Sequence, residues 1–150
     1  MNAPSTLDRE AIAARIPHSG AMCLLDRLLA WTAQDIRCGT FSHLDPANPL
    51  RRGGQLPAAA AIEYASQAMA LHGSLCTPAG EPPSAGFLAS VRGVQLAVAR
   101  LDDIPGEILV SADRLLGDAG QAQYRFALHD AGGRLLADGR ATVILEPPSA

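Results

Sequence analysis

Glu63 is the only formally charged side chain between Arg52 and Glu81, and it lies in Leu-Pro-Ala-Ala-Ala-Ala-Ile-Glu-Tyr-Ala-Ser-Gln-Ala-Met-Ala. A carboxylate in so apolar a stretch loses hydration that hydrocarbon cannot replace, so it is either paired or put to use in proton transfer. Small residues on nearly every side of positions 56 to 70 predict a helix enclosed all round, with Glu63 in its middle. Gln67 follows at i+4 and shares the Glu63 face. The bland reading, an acidic head reaching water or a capping donor, is the alternative for any lone helical Glu.

The four histidines are scattered and have no paired carboxylate spacing, which argues against a metal site. His43 ends a predicted strand beside a long loop and could swing toward Glu63 or its partner-chain equivalent. His72, near the predicted helix end, is expected to meet the terminal carbonyls, and His129 precedes a turn. Cys23, Cys38 and Cys76 form neither a C-x-x-C knuckle nor a complete disulfide set, so buried reduced thiols are expected.

A helix capped by Thr6 or Asp8 is predicted through Arg15, where Pro17 and Gly20 stop it. Met22 to Ala33 and Asp35 to His43 read as a hairpin turning at Thr32 to Asp35. Residues 45 to 54, rich in Pro, Asn and Gly, predict a long binding or active-site loop. The long helix is expected over about Pro57 to Leu71, with Pro57 in its first turn and Gly73 at its end. A loop carrying Pro78, Gly80, Pro82 and Pro83 precedes strand-like runs at Phe87 to Arg100, Ile108 to Leu116, Gln121 to His129 and Leu135 to Leu145. Tight turns are marked at Pro105-Gly106, at Asp118 to Gly120 and at Asp130 to Gly133. This order fits an α+β fold in which a curled antiparallel sheet wraps one long central helix.

The length of 150 residues suits a single domain, 1–150. A formal charge of −3, with no basic cluster beyond Arg51-Arg52, gives no case for nucleic acid. All 12 basic residues are Arg, which removes lysine Schiff-base chemistry. With neither a leader pattern nor an apolar run of about 20 residues, a soluble, cytoplasmic protein without membrane contact is expected.

The segment Ile16-Pro17-His18-Ser19-Gly20-Ala21-Met22-Cys23-Leu24-Leu25-Asp26-Arg27 resembles the N-terminal Pro-His…Leu-Leu-Val-Asp-Arg motif of the hot-dog-fold (3R)-hydroxyacyl-[acyl-carrier-protein] dehydratases. Leu56 to Gln67 is similar to that family's Met-Pro-Gly-Val-Leu-x-Leu-Glu-Ala-x-Ala-Gln helix, and Pro105-Gly106-Glu107 falls where it has Pro-Gly-Asp. The resemblance implies a hot-dog fold, a catalytic carboxyl at Glu63, its companion Gln at Gln67 and a structural histidine at His18. The family's second catalytic group, a loop histidine, falls at Gln55 with the shorter spacing or about Pro49 with the longer. Neither position is a histidine.

Dehydration needs a base for the α-proton and an acid for the departing hydroxyl, and each contributes about 10² to 10⁴ in rate. An active dehydratase would therefore use Glu63 with His43, or with a water held by Gln55. Backbone N–H groups near Ala58 and Ala59, just after Pro57 at the substrate-binding end of the helix, would polarise the thioester carbonyl. Asp45 to Arg52, with the short loop-to-helix spacing, resembles dehydratase-like proteins of aryl polyene and related polyketide clusters. Since sites in this family combine two chains, the protein would be a homodimer or one half of a heterodimer completed by a His-bearing paralogue. Two other readings stay open: a non-catalytic acyl-thioester-binding or scaffold subunit, and a hot-dog thioesterase. The resemblance implies no metal or redox cofactor. It implies a substrate carried on the phosphopantetheine of acyl carrier protein, an acidic partner for Arg51 and Arg52, with Arg92 and Arg100 as further contacts.

Overall fold

The computed structural model describes residues 7–18, 20–78, 85–118 and 120–146. Thr6, Ser19, Ala119 and the loop prolines Pro82 and Pro83, with Gly80, lie outside them. The short helix α1 spans Arg9–Ala13, with the Asp8 carboxylate accepting from Ala11 N at 2.9 Å. Two strands, β1 (Arg27–Trp31) and β2 (Asp35–Thr40), form the hairpin. The long helix α2 spans Ala61–Cys76, followed by β3 (Ala85–Leu96), β4 (Ile108–Gly117), β5 (Gln121–His129) and β6 (Leu135–Glu146). All pairings are antiparallel, in the order β1-β2-β4-β5-β6-β3. The helix packs on β2, β4 and β5, giving the expected helix against a single sheet.

Alternation explains which sheet face meets the helix. Along β5, Ala122, Tyr124, Phe126 and Leu128 are buried while the residues between them are not, and Ile108, Val110 and Ala112 repeat this on β4. Buried Tyr64, Ala65, Ala68 and Leu71 of α2 meet that face. The other side of the helix is less covered than expected. Ile62, Glu63, Ser66 and Ala70 are half-buried and Gly73 is exposed.

Several boundaries differ from the sequence reading. Only Arg27–Trp31 pairs as a strand within the expected Met22 to Ala33, because side chains replace the ladder before it. The Leu24 carbonyl accepts from the hydroxyls of Thr40 and Ser42, and the Asp26 carboxylate accepts from Phe41 N. Beyond Thr40, Ser42–Leu44 coils into a 3₁₀ turn, so His43 is not in a strand. At the long helix, residues Ala58–Ala60 form a 3₁₀ turn and the α-helix runs past Gly73 to Cys76. A glycine inside a helix costs only about 1 kcal/mol relative to alanine. Thr77 ends α2, its amide bonding Ser74 O and its hydroxyl Gly73 O.

Candidate active site

Glu63 sits in the first turn of α2, where the positive end of the helix dipole favours a carboxylate. The segment before that turn is tied to the stretch after β3. Ala58 N donates to Ala99 O, Leu101 N to Leu56 O, and Leu56 N to the Asp102 carboxylate at 2.7 Å. Asp102 also pairs with Arg100, which holds its carboxyl well below the ordinary carboxylate range. The start of α2 is thereby fixed relative to the sheet.

The N-terminal motif closes on the same carboxylate. His18 Nε2 lies 2.9 Å from Glu63 Oε2, although 45 residues separate them. Gln67 is fully buried, and its orientation follows from hydrogen-bond chemistry. Leu24 N is a donor and requires the Gln67 carbonyl Oε1, at 2.8 Å. Gln67 Nε2 is thereby directed to Met22 O at 2.7 Å and to Glu63 Oε2 at 3.2 Å. Among the described residues both contacts to Glu63 fall on one oxygen, Oε2. The Glu63 side chain retains 31% exposure, so it is not sealed in the way the helix pattern suggested.

The other expected members do not join this group. His43 is wholly buried, and its Nε2 donates to Ile104 O at 2.9 Å, while no described hydrogen bond reaches the buried Nδ1. Burial lowers its pKa below the ordinary 6.5. It is a core histidine, locked away from Glu63 by the 3₁₀ turn that replaces the strand end. Gln55 is exposed and pairs through its backbone with Arg52, N to O at 3.1 Å and O to N at 2.7 Å. It makes no contact with Glu63 among the described hydrogen bonds. The Ala58 amide is occupied by Ala99 O and so is not free for a thioester carbonyl. Pro57 and Ala59 are exposed at the same turn.

Arg51 is a brace. Its guanidinium donates to Gly54 O at 2.8 Å and His43 O at 3.0 Å, and Nε is buried without a partner among the described residues. Arg52 is exposed, and its guanidinium bonds the nearby carbonyls of Pro49 and Arg51. Arg100 is engaged by Asp102 and Asp103. The long loop is pinned from beneath by Asn48, whose amide donates to Ser42 O and to the Tyr64 hydroxyl.

His72 does not serve the helix carbonyls as expected. Its Nε2 donates to Thr32 O at 2.8 Å, and Nδ1 accepts from the Tyr124 hydroxyl at 2.8 Å. Cys76 Sγ is 3.5 Å from Nε2, but that nitrogen carries the proton and cannot take another from the thiol. Burial also pushes the Cys76 thiol up, so this pair is structural. A cavity of about 160 Å³ between α1 and the long loop is lined by Arg9, Cys23, Leu24, Ser42, Asp45 and Asn48, among others, with neither Glu63 nor His18 in its wall. No group of acidic, histidine or cysteine side chains suited to a metal occurs among the described residues. No described helix is long and apolar enough to cross a membrane.

The hydrogen-bonded carboxyl at the start of a sheet-packed helix, the Pro-His motif closing on it and the tied loop before the helix fit one known pattern. The ApeP-like profile, described as ApeP dehydratase, matches residues 10–150. The chain belongs to the ApeP-like dehydratase family. No curated protein sequence matches it. Among solved structures it is similar to the dehydratase heterocomplex ApeI:P from Xenorhabdus doucetiae, with 21% identity over 92% of this chain and 91% of that one and a TM-score of 0.78. A mutant thioesterase from Pseudomonas aeruginosa is 15% identical over 95% of this chain and 96% of its own, with a TM-score of 0.69. A thioesterase from Haemophilus influenzae is 14% identical over 93% and 90%, with a TM-score of 0.66. At these identities the structural likenesses establish the hot-dog fold, which dehydratases and thioesterases share.

His18 is the site member that residue reading undervalued. Its contact depends on a long chain reversal that no local periodicity encodes. The available signal was that the Pro-His motif and the Glu-bearing helix belong to one family pattern.

Proposed function

We propose that this protein is the carboxyl-bearing subunit of a dehydratase in aryl polyene or related polyketide synthesis, acting on a β-hydroxyacyl thioester carried by acyl carrier protein. A histidine of a paralogous subunit removes the α-proton. The C–O bond breaks, Glu63 protonates the departing hydroxyl, and water leaves with formation of the α,β-double bond. Proton transfer from the histidine back to Glu63 restores both groups.

The observation that carries this reading is that Glu63 is held and half-exposed while His18, His43 and His72 are each already engaged and not free to face a substrate as a base. His43 and His72 are buried and hydrogen-bonded within the core. His18 directs one nitrogen at Glu63, and its other nitrogen is buried. A base that takes a substrate proton must reach the substrate within hydrogen-bond distance. The heterocomplex organisation of the ApeI:P dehydratase supports a two-chain site for this protein as well. The edge strand β3 is the surface through which a second hot-dog chain would pair. Exposed Arg52 suits the acidic surface of the carrier protein, while Arg51 keeps the loop in shape.

The test is dehydration of a 3-hydroxyacyl-[acyl-carrier-protein] by the chain alone and by the chain co-purified with a His-bearing paralogue. Turnover is expected only for the pair, with Glu63→Gln lowering it by about 10² to 10⁴. Turnover by the chain alone, or full activity of the pair carrying Glu63→Gln, would overturn the reading. Carrier-protein binding by a pair that never turns over would favour the scaffold role.

A further inference from the structure

We infer that His18 is a positioning residue that anchors Glu63 by Oε2, leaving Oε1 as the oxygen presented to substrate. The inference rests on the reading of Glu63 as proton donor. It begins with the proton on His18. Nδ1 is buried with no hydrogen-bond partner among the described residues, whereas Nε2 lies 2.9 Å from a carboxylate oxygen. Placing the proton on Nε2 satisfies that oxygen and leaves at Nδ1 only a lone pair. The reverse tautomer would bury an unpaired N–H and set a lone pair against an oxygen, the costlier arrangement.

His18 therefore donates to Glu63, and Gln67 donates to the same oxygen at 3.2 Å. Gln67 has no freedom to turn, because Leu24 N and Met22 O hold its amide from both ends. Two donors from different segments fix both position and rotation of the carboxyl group, and no described hydrogen bond reaches Oε1. The proton delivered to a leaving hydroxyl then resides on Oε1, since Oε2 is filled by two N–H groups. The buried Nδ1 also separates this role from that of a base, because a substrate proton has no path to it.

The complex with the His-bearing paralogue is the system for the test. His18→Ala is expected to lower kcat by about 10- to 100-fold, the scale of a slightly misplaced catalytic group, with KM little changed. His18→Gln, which can restore an N–H donor, should recover a large part of that loss. A His18→Ala complex with unchanged kcat would overturn the inference, as would His18→Gln proving no better than His18→Ala while circular dichroism shows both folded. Glu63→Gln is run alongside. An inactive Glu63→Gln with a fully active His18→Ala removes only the positioning role, whereas a fully active Glu63→Gln removes the proton-donor reading itself. A readout independent of turnover is the ¹⁵N spectrum of His18, assigned by its loss in His18→Ala. The Nε2–H tautomer, perturbed by Glu63→Gln, is expected, and an Nδ1–H tautomer would overturn the inference.

Discussion

Glu63 and His43 show how two polar residues close in sequence to the same loop acquire opposite roles. Glu63 keeps partial access to solvent and two N–H partners, so it is held in place without being sealed. His43 is wholly enclosed and spends its one proton on Ile104 O. Removing it leaves a cavity and an unsatisfied carbonyl, which together typically cost about 2 to 4 kcal/mol. His43→Ala should therefore lower the urea midpoint clearly, while a dehydratase complex assayed below its melting temperature retains kcat. Loss of turnover in a folded, stable His43→Ala protein would restore the expectation that His43 serves as the base. Glu63 was legible from residue types as a lone carboxylate in an apolar helix, and Gln67 joined it through the family resemblance, whose helix Gln falls at i+4 on the same face. The choice among the histidines was not, because tautomer and burial depend on neighbours that the chain brings from a distance.

The hairpin and the turn before β4 are joined by an ion pair that dictates a glycine. Arg27 on β1 donates through Nε and Nη2 to both oxygens of Glu107, at 2.7 and 2.6 Å. That carboxylate crosses Gly39 of β2, where an added Cβ would lie 2.2 Å from Oε2. Side-chain space, not backbone conformation, favours glycine there, since any Cβ requires the Glu107 carboxylate to move. Gly39→Ala should displace the Glu107 carboxylate and destabilise the fold by about 1 to 3 kcal/mol, the range for overpacking. Thermal unfolding of the variant checks this, and a melting temperature equal to wild type would show that the pair shifts without cost. Gly106, with φ of 78°, lets the chain turn so that Glu107 arrives at this position. At this level the sequence was informative where local chemistry rules, as in the turns at Thr32 to Asp35 and Asp130 to Gly133 and the alternation along β5. It misled at residues 22 to 26, where apolar residues meet buried surface without joining a ladder.

The folded molecule carries two neutral, enclosed histidines, and this sets its response to acid. His43 and His72 both have pKa values below the ordinary 6.5, chiefly because burial penalises the charged form. Above that pH both the folded and the unfolded chain hold them neutral, and they contribute no pH dependence. Below it the unfolded chain binds protons that the folded chain refuses, so stability falls as pH drops. The slope reaches about 1.4 kcal/mol per pH unit for each histidine. Urea unfolding between about pH 7.5 and 5.5 should show this decline, and His72→Gln should reduce the slope. A flat profile would mean that one or both rings take up protons in the folded state.

The sequence by itself determined the element order, the apolar helix carrying Glu63 and Gln67, and the absence of a histidine at Gln55, because these depend on residue identity and short-range spacing. The tertiary structure alone decided that His18 and not His43 reaches Glu63, that Arg51 braces a loop, and that the described contacts to Glu63 fall on one of its two oxygens. Those outcomes depend on hydrogen bonds between segments far apart in the chain. Each is fixed by which donors and acceptors remain unsatisfied once the sheet closes against the helix, a condition that no stretch of sequence specifies alone.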